Sequence, residues 1–292
     1  MTLQEILSRA AREHWATGHF NASELDQMRA IAEACRDARS PAIIGTSEGE
    51  RKHLGIREAV ALRDVFRKEY GIPVFLNADH TKSVAAAKEA MDAGYDSVHI
   101  DLSALPFEEN IAGTKEIVEY ARLQPTTYNL QPISVEGELG YLRGESKVQR
   151  EKIEIKKEDY TDPVQARDFV ARTGVDRLAI AVGNIHGISL DEPVLDIERI
   201  RMIRAVVPEH VALVLHAASG IPDDQIRAAI AAGISNIHIN TDIRVAFVAG
   251  LKEGIAAHPD EAAMYKLDAS AIAAMKAVVK EKLTLFGAVG RS

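Results

Sequence analysis

The sequence predicts a single (β/α)₈ barrel, and three observations lead to this fold class. Short apolar runs rich in β-branched residues alternate with longer amphipathic stretches, which is the pattern of βα units around a parallel sheet. The alternation yields eight candidate strands, the number that closes such a barrel. The chain has 292 residues, which fits one barrel, since the fold typically takes about 250. No linker rich in proline, glycine and serine interrupts it, so we expect one domain over residues 1–292.

The strands can be located, and several helices carry boundary residues. Ser83 precedes an alanine-rich helix that is expected to end at Gly94. Pro163 lies in the first turn of a helix that ends before Gly174, and a further helix opens after Pro222. The candidate strands lie near residues 17–20, 42–46, 73–77, 97–100, 132–136, 177–182, 211–215 and 235–239.

The composition restricts the classes of function. It is 47% hydrophobic and 27% charged, as in ordinary globular proteins. The formal net charge of -8 argues against a broad surface for nucleic acid or anionic membranes, because such surfaces need clustered positive charge. The run 147–158 has glutamates among its lysines, so we interpret it as a solvated loop or lid.

The cysteine count and the hydropathy pattern predict a cytoplasmic protein. Cys35 is the only cysteine, which rules out an intramolecular disulfide, and its alanine-rich surroundings predict a buried structural thiol. Charged residues interrupt every candidate apolar run in residues 1–14, so we expect no secretory signal. Uncharged apolar stretches of about 18 residues do not occur, so we expect no transmembrane helix.

Polar side chains follow the candidate strands. The C-terminal ends of parallel strands share one rim of a barrel, and the catalytic residues of (β/α)₈ enzymes lie in the loops there. A barrel built for stability alone would not need this pattern, so we expect these side chains to form one site. They are Ser47, Asp79, His80, Asp101, Glu138, His186, His216, Asn240, Thr241 and Asp242.

Three of these residues are histidines, and together with the carboxylates they indicate a metal site. Catalytic zinc often has three protein ligands and an open position, and it accepts imidazole nitrogen. One histidine after a strand is more often a cap or a hydrogen-bonded loop residue, but three at equivalent positions favour zinc held by His80, His186 and His216. The histidines outside this rim are interpreted as surface or packing residues: His14, His19, His53, His99, His210 and His258.

At these residues the chain resembles the class II, metal-dependent ketose-bisphosphate aldolases, whose best-known member cleaves fructose 1,6-bisphosphate. The resemblance extends over nearly the whole chain, and its motifs are specific together although each is weak alone. The segments are DAGYDSVHIDLSALPFEENIAGTKEIVEYA at 92–121, SVEGELG at 134–140, YTDPVQARDFVARTGVDRLAIAVGNIHG at 160–187, LHAASGI at 215–221, INTDIR at 239–244 and KEKLTLFGAVG at 280–290.

The resemblance implies roles for the residues at the metal. The three histidines match the zinc ligands of the family. Asp79 matches the general acid/base that exchanges the proton of the C4 hydroxyl, although the residues alone leave open that it only orients His80. Asp101 and Glu138 match carboxylates that line the metal site and can hold a second or displaced cation, divalent or monovalent.

The resemblance also implies a phosphorylated sugar as substrate and a homodimer or homotetramer. Arg244 matches an arginine that grips the distal phosphate. Glu145, in a loop whose register is displaced by one residue, is the candidate for proton exchange at the ketone fragment. The remaining positions implied to contact substrate are Ser47, Gly187, Ser219, Gly220, His238, Asn240 and Thr241.

Several departures from the family pattern concern the ketone-side phosphate pocket. Ala217 and Ala218 replace a glycine pair, and methyl groups there narrow the approach of a phosphate to backbone N–H groups. A lysine expected soon after Gly187 is absent from the run that ends at Leu190. Asn236 and His238 stand where the family has a lysine and an asparagine. Two interpretations stay open: harmless drift, or a changed substrate.

The first functional hypothesis is zinc-dependent retro-aldol cleavage, with fructose 1,6-bisphosphate as the first candidate because it is the commonest substrate of the family. The alternative is an aldolase of the same family that acts on another ketose phosphate, such as tagatose bisphosphate. A metal-assisted hydrolase would consume water instead of yielding two carbonyl compounds. A non-catalytic sugar-phosphate binder would bind metal and sugar without turnover, which the intact set of Asp79 and three histidines disfavours.

Overall fold

The computed structural model describes residues 1–124, 132–190 and 193–292. At its centre eight parallel strands close into a barrel, which confirms the predicted fold class. The closing contact joins the first and last strands, where Phe20 pairs with Ile239. In chain order the barrel strands are β1 (Thr17–Asn21), β2 (Ala42–Thr46), β3 (Val74–Thr81), β4 (Ser97–Ile100), β5 (Ser134–Leu139), β7 (Arg177–Ile180), β9 (Ala212–Leu215) and β10 (Ile234–Ile239). A separate two-stranded sheet contains β6 (Gly144–Val148) and β8 (His186–Ile188).

Helices surround the barrel, and the predicted boundaries agree with the observed ones. Ser83 caps its helix by accepting a hydrogen bond from the backbone N–H of Ala86, while Gly94 and Gly174 take the left-handed conformation just past two helix ends. The helices are α1 (Leu3–Arg12), α2 (Leu25–Ala38), α3 (Glu48–Leu54), α4 (Ile56–Tyr70), α5 (Val84–Ala93), α6 (Phe107–Leu123), α7 (Pro163–Thr173), α8 (Ile197–Val206), α9 (Asp223–Ala231), α10 (Thr241–Ala257), α11 (Met264–Leu267) and α12 (Ala269–Leu285), with one 3₁₀ turn at Lys157–Asp159.

The barrel interior is polar, whereas the layer between strands and helices forms the hydrophobic core. Asn77 on β3 and Arg177 on β7 are hydrogen-bonded at 2.9 Å. Their strands are not neighbours in the sheet, so this contact crosses the interior. His19 and His99 are also fully buried. Of the two alternatives predicted for these histidines, surface or packing, the surface position is excluded: both pack in the polar interior.

The two-stranded sheet ties the segment after β5 to His186. Gly144 pairs with His186, and Val148 pairs with Ile188. The side chain of Gln149 reinforces this pairing, because its amide donates to the backbone carbonyls of Glu145 and His186. The predicted solvated loop therefore begins as a strand that holds the backbone of a rim histidine.

Substituting Gly187 with alanine is expected to destabilise this sheet. Gly187 has a φ of +92°, and a Cβ there would overlap the backbone carbonyl oxygens of Glu145 and Lys147. We expect Gly187→Ala to lower the free energy of unfolding by roughly 1–3 kcal/mol and to weaken metal binding by displacing His186. Calorimetry and zinc titration measure the two effects. Gly49→Ala is the matched control, since its Cβ would meet nothing within 4 Å; a loss of stability as large in this control would contradict the strain argument.

Candidate metal centre

A cavity of about 310 Å³ lies at the C-terminal rim of the barrel. It brings together most of the residues predicted from the strand ends, together with Ala217 and with two residues that the sequence analysis did not assign to a site, Asn21 and Ser146. The described residues that line the cavity are Asn21, Asp79, His80, Ser146, His186, Gly187, His216, Ala217, Ser219, His238, Asn240 and Thr241.

The ring of His80 contacts the rings of both other rim histidines. His80 Nε2 lies 3.2 Å from His186 Nε2 and 3.2 Å from His216 Nδ1. His80 stands at the end of β3 with a φ of +41°, a left-handed conformation that is strained for a residue with a Cβ. His186 begins β8, and His216 directly follows β9. Three separate elements therefore aim ring nitrogens at the same space.

Two carboxylates fix the tautomers of these rings. Asp101 Oδ2 lies 2.8 Å from His80 Nδ1, and Glu136 Oε1 lies 2.6 Å from His216 Nε2. When the ring is neutral, each carboxylate accepts the N–H that faces it and the opposite nitrogen keeps its lone pair. These opposite nitrogens are His80 Nε2 and His216 Nδ1, the two atoms that face each other. Such outer carboxylates orient imidazole ligands in metal sites.

The donor set fits a zinc ion. On a tetrahedral zinc with bonds of ~2.0–2.1 Å to imidazole nitrogen, two ligand atoms lie ~3.3 Å apart. The two spacings of 3.2 Å around His80 Nε2 agree with this value. Burial, followed by the charge of His80, lowers the pKa of His186 to about 4. His186 is therefore a neutral donor near neutral pH, as a metal ligand must be.

Asp101 and Glu138 lie near Nδ1 of His80, whereas the other two rim histidines face its Nε2. Asp101 accepts from the Ser103 hydroxyl as well as from His80, and it contacts the ammonium group of Lys82. Glu138 Oε2 lies 3.1 Å from His99 Nε2 and 4.0 Å from His80 Nδ1. The structure thus places both carboxylates behind a candidate ligand rather than around the converging nitrogens. Asp101 supports His80, and Lys82 already supplies a positive charge beside it.

Asp79 lies beside the histidine cluster at the wall of the cavity and is 3% exposed. Its Oδ2 accepts a hydrogen bond of 2.9 Å from Asn21, whereas its Oδ1 has no hydrogen-bond partner among the described residues. Burial alone would raise the pKa of Asp79, but the charge of His80 and contacts with His238 and His99 hold the pKa well below its usual value. Asp79 is therefore a carboxylate near neutral pH, and its Oδ1 lies 3.5 Å from His238 Nδ1 and 3.7 Å from His99 Nδ1.

The other wall of the cavity is built around the start of α10. Ser219 Oγ accepts from the backbone N–H of Asp242 at 3.2 Å, and Asn240 and Thr241 lie beside it. A helix N-terminus is a favourable place for an anion. Ala217 has a φ of +56°, so this departure from the family pattern keeps a backbone conformation that favours glycine.

Three of the predicted substrate residues lie outside the described cavity wall. Arg244 contacts the Glu50 carboxylate, and the other oxygen of Glu50 accepts from Asn21 and from the backbone N–H of Ser47. Ser47 therefore caps α3, and Arg244 is already paired. Gly220 packs beside Ile188. Glu50 is 5% exposed, and sequence reasoning did not identify it.

The structure does not bring Glu145 to the cavity. Its side chain is 74% exposed and pairs with Lys147 at 2.6 Å. Neighbouring residues of a strand point to opposite sides, and on β6 it is Ser146 that lines the cavity. The register displacement seen in the sequence thus has a structural counterpart, and the expected role of Glu145 in proton exchange is not supported by its position.

Comparison with known proteins assigns the family. The model described as fructose-bisphosphate aldolase class-II matches residues 1–291. The chain belongs to this family. A fructose-bisphosphate aldolase of Geobacillus stearothermophilus is 35% identical over 295 residues, covering 100% of this chain and 98% of that protein.

Solved structures of two aldolases have the same fold. The YdjI aldolase of Escherichia coli K12 superimposes with a TM-score of 0.82 at 32% identity, covering 100% of this chain and 98% of that one. A fructose-bisphosphate aldolase of Campylobacter jejuni, at 21% identity, gives a TM-score of 0.78 over 99% of this chain and 95% of that one, which supports the fold.

Membership in the class-II aldolases makes this chain a carbon–carbon lyase of a family that acts on phosphorylated sugars and is generally metal-dependent. Within the described ranges no helix combines the length and apolarity needed to span a bilayer. Among the residues that sequence reasoning missed, Glu136 had an available signal. It stands two residues before Glu138 in β5, and a spacing of two places both carboxylates on one face of a strand.

Proposed function

We propose that this class-II aldolase uses zinc to cleave a phosphorylated ketose reversibly, with fructose 1,6-bisphosphate as the first candidate. The products would then be dihydroxyacetone phosphate and glyceraldehyde 3-phosphate. One observation carries the proposal: nitrogens of His186 and His216 each lie 3.2 Å from His80 Nε2, beside a buried carboxylate with one oxygen that has no hydrogen-bond partner among the described residues. His80, His186 and His216 would hold the metal.

The residues around the cavity have separate tasks in this reaction. Zinc, when held by the three histidines, would supply a Lewis acid for the ketone side of the substrate, which can contribute several kcal/mol. Asp79 takes the C4 hydroxyl proton as the C3–C4 bond breaks, and returns it during condensation. Asn21 donates to the other oxygen of Asp79 and so fixes the orientation of the carboxylate. Ser219, Asn240 and Thr241 offer polar groups and a helix N-terminus to a phosphate.

A different ketose phosphate is the second candidate, and the charge of the cavity favours it. The described wall contains no lysine or arginine. Arg244 is paired with Glu50, and the methyl groups of Ala217 and Ala218 replace the family's glycines. A substrate with two phosphates therefore meets less positive charge here than the family pattern would provide.

A retro-aldol screen separates these candidates. The purified protein, loaded in turn with zinc, cobalt and manganese, is assayed against matched ketose mono- and bisphosphates, including fructose and tagatose bisphosphate. Formation of two carbonyl products with any of them supports the proposal, and the preferred phosphate pattern identifies the substrate class. Turnover that survives complete removal of metal would overturn it, as would an adduct trapped on a lysine by borohydride.

The cellular location and the assembly are further parts of this proposal. We propose a cytoplasmic homodimer or homotetramer, as the family resemblance implies. Light scattering after size-exclusion chromatography, at several protein concentrations, measures the molar mass of the assembly. A monomer at every concentration would reject the proposed dimer or tetramer.

A further inference from the structure

A connected set of buried polar side chains lies beneath the cavity, inside the barrel. Glu136 on β5 is at its centre. One of its oxygens lies 2.6 Å from His216 Nε2, and the other lies 2.7 Å from Arg177 Nη1. Both Glu136 and Arg177 are fully buried. One carboxylate thus joins a candidate metal ligand to a guanidinium in the barrel interior.

The second branch of this set leads from Arg177 to the cavity wall. Arg177 Nη2 donates to Asn77 Oδ1 at 2.9 Å, and Asn77 Nδ2 lies 3.1 Å from His19 Nε2. The His19 ring stacks on His238 with centroids 3.5 Å apart and planes 10° apart. His238 in turn packs against His216, with centroids 3.8 Å apart. The contacts therefore form a closed ring that starts and ends at a candidate zinc ligand.

Gly45 on β2 makes this arrangement possible. A Cβ at this position would overlap the His19 ring, so only glycine leaves room for the imidazole that supports His238. The residue at position 45 therefore accommodates the buried His19 ring and does not fill space with an apolar side chain. This argues that the polar interior has a task beyond filling the barrel.

We propose that Arg177 is a positioning residue for the metal centre, acting on His216 through Glu136. The inference rests on the metal site of the proposed function. The buried guanidinium fixes the Glu136 carboxylate in place, because the two groups lie 2.7 Å apart and a buried charge is tolerated only when it is paired. The fixed carboxylate accepts the Nε2 hydrogen of His216 and leaves Nδ1 free to bind zinc. Losing such an outer partner typically weakens metal binding by about 10–100-fold.

The chain offers a matched control in Arg63. This arginine is also buried, with a side chain that is 1% exposed, and it pairs with Asp96 at 2.6 Å. Asp96 accepts from the backbone N–H of Leu76 and contacts none of the three rim histidines among the described residues. Arg63→Met therefore removes an equally buried ion pair without touching the metal centre.

The test compares zinc affinity in Arg177→Met and Arg63→Met by competition with a chromophoric chelator. We expect zinc to bind about 10–100-fold more weakly to Arg177→Met and with wild-type affinity to Arg63→Met, while both variants lose thermal stability. The visible spectrum of the cobalt-loaded protein should change only in Arg177→Met. Wild-type zinc affinity and an unchanged cobalt spectrum in Arg177→Met would overturn the inference, since its arginine would then serve stability alone.

Arg177→Lys keeps the inference testable where Arg177→Met does not fold. Lysine retains a positive charge for Glu136 but cannot donate to Glu136 and Asn77 at once, as the two nitrogens of a guanidinium can. We therefore expect the zinc affinity of Arg177→Lys to lie between those of the wild type and Arg177→Met. Full wild-type affinity in Arg177→Lys overturns the inference. Turnover is not needed for any of these measurements. A wild-type protein that binds zinc and cleaves no ketose phosphate defeats the proposed reaction alone, whereas one that binds no zinc defeats the metal centre and this inference together.

Discussion

Replacement of His80 with alanine is expected to lower kcat/KM for ketose phosphate cleavage by more than about 1000-fold and to remove most of the bound zinc. His80 Nε2 lies 3.2 Å from the nitrogens of both other candidate ligands, so the substitution removes the residue that contacts both of them. Asp101 loses one of its hydrogen-bond donors at the same time. Metal analysis of the purified variant and steady-state kinetics measure the two effects.

The control for this variant is another histidine. His258 lies just past the end of α10 and is exposed, so His258→Ala should keep both zinc and activity. Stripping the wild-type protein with a chelator should reproduce the His80→Ala loss, and added zinc should restore activity to the wild type but not to the variant. Substantial activity in zinc-free His80→Ala would reject a metal-assisted mechanism.

The barrel could be predicted closely because its signal is local. The predicted strand at 42–46 coincides with β2, and those at 97–100 and 235–239 differ from β4 and β10 by at most one residue. The largest difference is at β3, which was expected at 73–77 and runs to Thr81. The last four residues include Asp79 and His80, whose polar side chains do not continue an apolar run, although the backbone there remains extended up to the strained His80.

The site could be predicted only in part, because its second layer depends on contacts across the barrel. The three histidines and Asp79 follow strands and share a rim, which a sequence pattern reveals. Glu136 and Arg177 are far apart in the chain, and only closure of the barrel places them together. In the same way, Glu50 contacts Arg244, which lies 194 positions further along the chain, so a residue expected to grip phosphate is paired with a carboxylate.

Replacement of Asp79 with asparagine is expected to reduce kcat by about 100- to 10,000-fold while leaving zinc affinity unchanged. An amide cannot take the C4 hydroxyl proton, yet it matches the carboxylate in shape, and its oxygen can still accept from Asn21. Asp101→Asn is the matched control, because Asp101, and not Asp79, accepts from the His80 ring. Asp101→Asn should therefore weaken zinc binding by about 10–100-fold. If Asp79→Asn instead lost zinc and kept turnover once zinc was saturating, Asp79 would be an orienting residue and the acid/base role would be rejected.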